Sequence, residues 1–315
     1  MNVAYHTVDV FTEAALEGNP LAVFPDARSI GDRTMQRIAR ELNLSETTFV
    51  LPPSTSAYAA RLRIFTPAYE MAFAGHPTVG TAYVLRTLGI VPREAARFVL
   101  EENIGPVPIR VDEGPSPLIW LETPPITRGA IFSAPLCAQA LGLAEADVLP
   151  DVPCRVLSAG NPNIYVAVRD KRAVDRAEVD TAALRTLVAS EDAPTCLFVF
   201  TATPEGAYSR MFAPEFGVVE DPATGSATGP LAAYMMDHAL VGRDDGTRFI
   251  SEQGTKMGRR SILHVLVRGA HGNGPQRRSG QATAAGPQPG TAGLRVDRQS
   301  PHCVDQGEGL GSGIQ

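Results

Sequence analysis

The feature that most constrains this chain is that part of it is written twice. Gly18-Asn19-Pro20 leads into the apolar run Leu21-Ala22-Val23, and Gly160-Asn161-Pro162 leads into Ile164-Tyr165-Val166. Arg63-Ile64-Phe65-Thr66-Pro67 returns as Arg210-Met211-Phe212-Ala213-Pro214, and Gly75-His76-Pro77-Thr78 as Gly225-Ser226-Ala227-Thr228. One such pair is what shared turn chemistry gives by chance. Three pairs in the same order predict two structurally equivalent lobes. A length of 315 residues suits two lobes of ordinary domain size.

Local patterning fills in each lobe. His6 to Phe11 alternates and is rich in valine, and Leu21 to Phe24 is a short apolar run after a turn, so both read as strands. Asp32 to Leu42 has apolar residues at helical spacing, with Asp32 as a start signal. Thr47 to Leu51 and Ala59 to Phe65 read as strands, and Thr78 to Leu88 as a helix stopped by Gly89. The second half repeats the plan, with strands at Asn163 to Val168, Cys196 to Thr201 and Tyr208 to Phe212 and a helix from about Ala227 to Leu240. Both helices are apolar nearly all round, so each belongs inside a lobe with strands wrapped around it. Pro115 to Ile131, rich in Pro and Thr, reads as the crossover. The expected division is 1–120 for the first lobe, 121–270 for the second and 271–315 for an atypical tail.

Composition removes several function classes. Hydrophobic residues make up 44%, which supports a sizeable core. The net charge of -6 and the lack of a basic run argue against nucleic acid as a partner. No apolar stretch approaches the ~20 residues that span a bilayer, and the opening MNVAYHTVDVF lacks the pattern of a signal peptide, which predicts a cytoplasmic protein without a membrane partner. Cys137, Cys154, Cys196 and Cys303 lack CxxC spacing and the histidines are scattered, so neither disulfides nor a metal site is expected. No nucleotide-binding glycine fingerprint is visible.

The chemistry is expected at the helix starts. Each begins at a glycine turn, and helix N-termini attract anions through unpaired N–H groups and partial positive charge. Two such starts facing one cleft suit a small carboxylated substrate, with Gly75 and Gly225 allowing close backbone approach. Glu46 precedes a strand, His76 lies in the first turn, and Asp221 stands just before the second. A Glu in an apolar cleft can have its pKa raised to ~6–7, so that it both takes and returns a proton near neutrality. Singly, these residues would read as a surface acid, a turn histidine and a helix cap.

Together they resemble a known family. Asn43-Leu44-Ser45-Glu46-Thr47-Thr48-Phe49-Val50, Phe73-Ala74-Gly75-His76-Pro77-Thr78-Val79-Gly80 and Glu220-Asp221-Pro222-Ala223-Thr224-Gly225-Ser226-Ala227 are similar to the signatures of the phenazine-biosynthesis PhzF family. So are Val8-Asp9-Val10-Phe11, Ile250-Ser251-Glu252-Gln253-Gly254 and Met257-Gly258-Arg259, and the resemblance spans roughly residues 1–270. It implies the diaminopimelate-epimerase-like α+β fold, in which each lobe is a mixed, mostly antiparallel sheet rolled around a central helix. It also implies a homodimer, no cofactor, and isomerisation of a substrate such as trans-2,3-dihydro-3-hydroxyanthranilate. On that pattern Glu46 carries the proton, His76 and Asp221 assist, and Gly75, Gly225 and Ser226 hold the substrate.

Two other functions stand beside this one. Related epimerases use two thiols at the helix starts, where this chain has Ala74 and Thr224, and Glu46 has no matching carboxylate in Pro194-Thr195-Cys196-Leu197. A two-thiol racemase is therefore disfavoured. A binding protein that keeps the cleft without turnover is the other. The chain departs from the family at Met71-Ala72, where a Leu-Pro pair is common, and more strongly from Asn273 onward, where a Gly-, Pro-, Gln- and Arg-rich text resembles a shift of reading frame. That composition predicts a disordered tail and the loss of a last strand, leaving a sheet edge open.

Overall fold

The repeat is built as two lobes whose sheets follow one plan. The computed structural model describes residues 3–114, 117–189, 196–267 and 291–295. In hydrogen-bonding order the first sheet runs His6–Val10, Asn19–Phe24, Glu46–Leu51, Ala60–Phe65, Arg97–Glu102 and Gly105–Asp112. Its successive neighbours are antiparallel, parallel, antiparallel, parallel and antiparallel. The second runs Cys154–Ser158, Pro162–Ala167, Leu197–Thr203, Gly206–Ala213, Arg248–Gln253 and Ser261–Leu266, with the same alternation. The fold is α+β, and each mixed sheet curls around one helix, Gly75–Thr87 in the first lobe and Gly225–Asp237 in the second.

The absence of a polar face on these helices explains their place. Val79, Ala82 and Leu85 pack with Val8, Val10, Leu21 and Ile109, while Ala227, Leu231 and Tyr234 pack with Tyr165, Phe198 and Val265. Burying each large side chain is worth about 1.5–3 kcal/mol, so wrapping a sheet around the helix stabilises both. Both helices begin three residues earlier than their apolar runs, or nearly so, because Gly75-His76-Pro77 and Gly225-Ser226 supply the first turn. Pro77 fits there because first-turn N–H groups have no intrahelical partner.

The stretch read as the crossover does carry the chain between lobes, and it holds two strands: Leu118–Glu122 pairs with Gly105–Asp112 of the first lobe, burying Ile119, Trp120 and Leu121, and Thr127–Phe132 pairs with Cys154–Ser158 of the second. One expectation is corrected. Within the stretch expected to be a disordered tail, Thr291–Arg295 forms a strand antiparallel to both Ser261–Leu266 and Leu118–Glu122. Strand pairing is a backbone interaction, and the ladder groups between those two strands are satisfied without a continuous apolar run. The rest of the tail lies outside the described residues.

The outer helix Asp32–Leu42 positions the first site segment. Gly31 is its N-cap, and Asp32, expected as the start signal, is its first residue, where a negative charge favours the positive helix end. Asn43 ends the helix at φ 52°, with its N–H bonded 3.1 Å from the Ala39 carbonyl, and turns the chain so that Glu46 opens the next strand. Among the described residues, no helix is long and apolar enough to cross a membrane.

Candidate active site

The two central helices meet at their first residues. A Cβ on Gly75 would lie 2.7 Å from the Gly225 carbonyl carbon and 2.7 Å from the Ser226 nitrogen. Glycine is therefore required at 75 for helix to meet helix, a use that the sequence reading, which gave this freedom to substrate approach, did not anticipate. Both starts are finished in the same way. Thr78 Oγ1 donates to the Ala74 carbonyl at 2.6 Å, and Thr228 Oγ1 to the Thr224 carbonyl at 3.1 Å.

Beside this junction lies a cleft of about 740 Å³ of empty space, open to solvent, lined by residues of both lobes. Glu46, Asp221 and Ser226 are in its wall, together with Ser45, Thr224 and Cys196. His76 stands behind Glu46, with Nδ1 3.2 Å from Glu46 Oε2. The structure thus brings together Glu46, His76, Asp221 and Ser226, while Gly75 and Gly225 form the helix junction beneath them.

Each ionisable group is displaced from its ordinary range for an identifiable reason. Burial raises the Glu46 carboxyl well above 4.5, and the negative charge of Asp221 raises it further. Burial also lifts Asp221, to about 6, against the pull of hydrogen bonds to its charged form. Those bonds come from Asn19 Nδ2 at 2.8 Å and Ser45 Oγ at 3.1 Å to Oδ1, and from Thr224 Oγ1 at 2.6 Å to Oδ2. Three side-chain donors make Asp221 the better anion of the pair, so Glu46 has the higher proton affinity of the two. Burial drives His76 down to about 3, opposed by a bond to the Pro20 backbone, so its imidazole is neutral. Glu46 Oε2 and His76 Nε2 are buried without a hydrogen-bond partner within the protein.

The repeat explains why only one half of the cleft is ionisable. Thr47 pairs with Phe65 and Leu197 with Phe212, so Cys196 occupies in the second lobe the place of Glu46 in the first. Ile64 pairs with Met71 and Met211 with Asp221, so Met71 is the counterpart of Asp221. Burial, and then the charge of Asp221, push the Cys196 thiol up to about 12, which keeps it protonated. Among the described residues no group of three or more His, Cys, Asp or Glu could hold a metal ion. Cys137, Cys154 and Cys196 are buried, as the sequence reading expected of its cysteines, and Cys303 lies outside the described residues.

Several supporting residues were not singled out from the sequence as site residues. Asn19 Nδ2 also donates to the Ala223 carbonyl at 2.9 Å, and its place in the Gly-Asn-Pro repeat was the available signal. Gln253 donates to the Asp221 carbonyl at 2.7 Å and accepts from the Thr224 N–H at 3.1 Å, fixing the second helix start. Phe11 adopts φ 69°, a strained conformation for an aromatic residue, with its ring edge-on to His76 at 6.4 Å.

Comparison with known proteins agrees with this geometry. Residues 8–286 match the family described as phenazine biosynthesis-like protein. The chain is 41% identical over 281 residues to an uncharacterized isomerase of Mesorhizobium japonicum, covering 83% of this chain and 89% of that one. It is 36% identical over 268 residues to the trans-2,3-dihydro-3-hydroxyanthranilate isomerase of Pseudomonas aeruginosa, covering 84% and 91%. The crystal structure of a PhzF-family phenazine biosynthesis protein from Bacillus anthracis superposes with a TM-score of 0.79 at 24% identity, covering 94% of this chain and 96% of that one.

Proposed function

The chain belongs to the phenazine biosynthesis-like PhzF family of isomerases, and from that premise we propose that Glu46 moves a proton between two carbons of a small, unsaturated carboxylic acid. Trans-2,3-dihydro-3-hydroxyanthranilate, the substrate named for the Pseudomonas aeruginosa relative, is the first candidate. The observation that carries the reading is the cleft-facing Glu46 carboxyl, raised by burial and by Asp221 and 3.2 Å from the neutral His76.

The substrate carboxylate faces Ser226 and the paired helix starts, whose N–H groups and dipoles favour negative charge. Glu46, as carboxylate, takes a proton from a saturated carbon. The released electron pair spreads into the conjugated system toward the substrate carboxylate, where the helix starts stabilise it. Glu46, now the acid, returns the proton to another carbon of that system, and the double bonds move. Asp221 stays anionic under its three donors and keeps the Glu46 proton affinity high. His76, neutral and packed 3.2 Å from Glu46, does not offset its charge.

The opposite wall, with Cys196 and Met71 in the equivalent places, offers no second base. That asymmetry supports transfer by one residue rather than inversion between two. The helix starts carry Ala74 and Thr224 as N-caps, neither of them a thiol. The family resemblance further supports a cytoplasmic homodimer that works without a cofactor.

Glu46→Gln separates catalysis from binding. It should bind the substrate with near wild-type affinity and lose about 10²–10⁴-fold in turnover, the usual worth of a positioned acid/base group. Wild-type protein that binds the substrate without converting it would favour the non-catalytic binding reading.

A further inference from the structure

Glu102 is a buried acid that proton transfer does not use. It ends the strand Arg97–Glu102 and is 4% exposed. Its Oε1 lies within hydrogen-bond distance of Thr78 Oγ1, and its Oε2 has no partner within the protein. Thr78 Oγ1 is also 2.6 Å from the carbonyl of Ala74, the N-cap of the helix Gly75–Thr87. A hydroxyl carries one proton. With Glu102 ionised, both oxygens beside that hydroxyl would be acceptors, and one close oxygen pair would have no proton between them. A proton on Glu102 satisfies both contacts, because the acid donates to Thr78 and Thr78 donates to Ala74.

The other lobe has an amide in this place. Leu51 pairs with Arg61 and Thr201 with Tyr208, which makes Arg61 and Tyr208 equivalent. Their partners on the next strand are Glu101 and Glu252, so Glu102 and Gln253 are equivalent too, each the last residue of its strand. Gln253 Nε2 donates to the Thr224 hydroxyl at 3.0 Å, and its Oε1 accepts from the Thr224 N–H at 3.1 Å. A glutamine side chain offers a donor and an acceptor, and so does a neutral glutamic acid of the same shape, whereas a carboxylate only accepts.

The cations on the elements packed against this strand are paired with other acids. Arg61 and Arg63 hold Glu101 and Glu70, Arg110 holds Asp112, and Arg86 holds Glu113. His76, on the same helix as Thr78, is neutral. Burial accordingly lifts the Glu102 carboxyl to about 8, with the Thr78 bond opposing it. We propose that Glu102 is a positioning residue that acts as a neutral acid, its proton holding Thr78 on the Ala74 carbonyl and so fixing the helix start that the substrate carboxylate faces. Its link to turnover rests on the proton-transfer reading above; its protonation and its hold on the helix start do not.

The test compares the full chain as wild type, Glu102→Gln and Glu102→Leu. At neutral pH the infrared spectrum of wild type should show the C=O stretch of a protonated carboxyl that Glu102→Gln lacks, and raising the pH through about 8 should remove it. The Thr78 N–H bonds the Ala74 carbonyl at 3.3 Å, so its hydrogen exchange reports the helix start. Wild type and Glu102→Gln should exchange alike at neutral pH. Above the ionisation of Glu102 wild type should exchange about tenfold faster than Glu102→Gln at the same pH, and Glu102→Leu about tenfold faster at every pH, the worth of one buried hydrogen bond. The kcat/KM for trans-2,3-dihydro-3-hydroxyanthranilate should follow the same pattern, with an alkaline loss in wild type that Glu102→Gln does not share. The proposal is overturned if the neutral-pH spectra of wild type and Glu102→Gln agree, or if their exchange rates or their kcat/KM values do not part at high pH. Absence of turnover in all three proteins would count against the proton-transfer reading, while spectrum and exchange still decide this one.

Discussion

Gly75→Ala is the substitution on which the geometry of the helix junction bears most sharply. The added Cβ would lie 2.7 Å from Gly225 C and Ser226 N and 2.8 Å from Gly225 Cα. Carbon atoms pack at about 3.5–4.0 Å, so the two helix starts must part by roughly an ångström. The opposing atoms are backbone, and no rotamer change relieves them. Overpacking of this kind costs about 1–3 kcal/mol. With an unfolding entropy of about 2.1 cal/mol/K per residue, a chain of this length should lose roughly 2–5 °C in Tm. The loss in activity should be larger in proportion, because Ser226 moves relative to Glu46, and a misplacement of ~1 Å can cost about 10²-fold. Gly225→Ala is the graded comparison, since its Cβ would meet Phe11 Cζ at 3.0 Å and Gly75 at 3.2 Å, and the ring can yield. Gly31→Ala is the control, with nothing within 4 Å of its Cβ. Differential scanning calorimetry and turnover should rank the variants 75, 225, 31 in decreasing effect. A Gly75→Ala protein that melts with the Gly31→Ala control and turns over normally would refute the junction.

Asp221→Asn removes the charge that is the second cause of the raised Glu46 pKa, so the limb of the kcat/KM profile set by Glu46 ionisation should move to lower pH; a limb that stays or moves upward contradicts the pairing. Arg210 holds Glu220 through Nε and Nη2, both at 2.8 Å, and donates through Nη1 to the Val174, Asp175 and Ala177 carbonyls. Arg210→Ala should cost about 3–5 kcal/mol in urea unfolding, since it strands buried partners, and the more exposed equivalent pair Arg63–Glu70 should cost less. Burial raises Glu102 to about 8 from 4.5, so the unfolded chain gives up this proton first and stability should fall as pH rises through that window. Glu102→Gln should flatten that slope; an unchanged slope would place the titration elsewhere.

The architecture was legible because the repeat was. Matching Phe65 with Phe212 and Gly75 with Gly225 in the text anticipates the matched ladders, and helices apolar on every side can only be central. Glu46, His76, Asp221 and Ser226 came together as the motif spacing suggested. What the sequence did not show depends on contacts between distant segments. Asn19 reaches Asp221 across 202 positions, and no local pattern marks that bond. Cys196 read as a buried small residue, and its place opposite Glu46 follows only from strand register. Leu118–Glu122 was hidden because Pro115 and Pro117 gave its entry the look of a linker.

The account stands on Glu46 as the one residue that carries the proton. The most direct measurement is proton NMR of trans-2,3-dihydro-3-hydroxyanthranilate incubated in deuterated buffer with wild-type protein and with Glu46→Gln. The account predicts conversion by the wild type, with deuterium entering the newly protonated carbon only so far as the Glu46 proton exchanges with solvent before it is returned, and no conversion by the variant. Conversion by Glu46→Gln at the wild-type rate would contradict it.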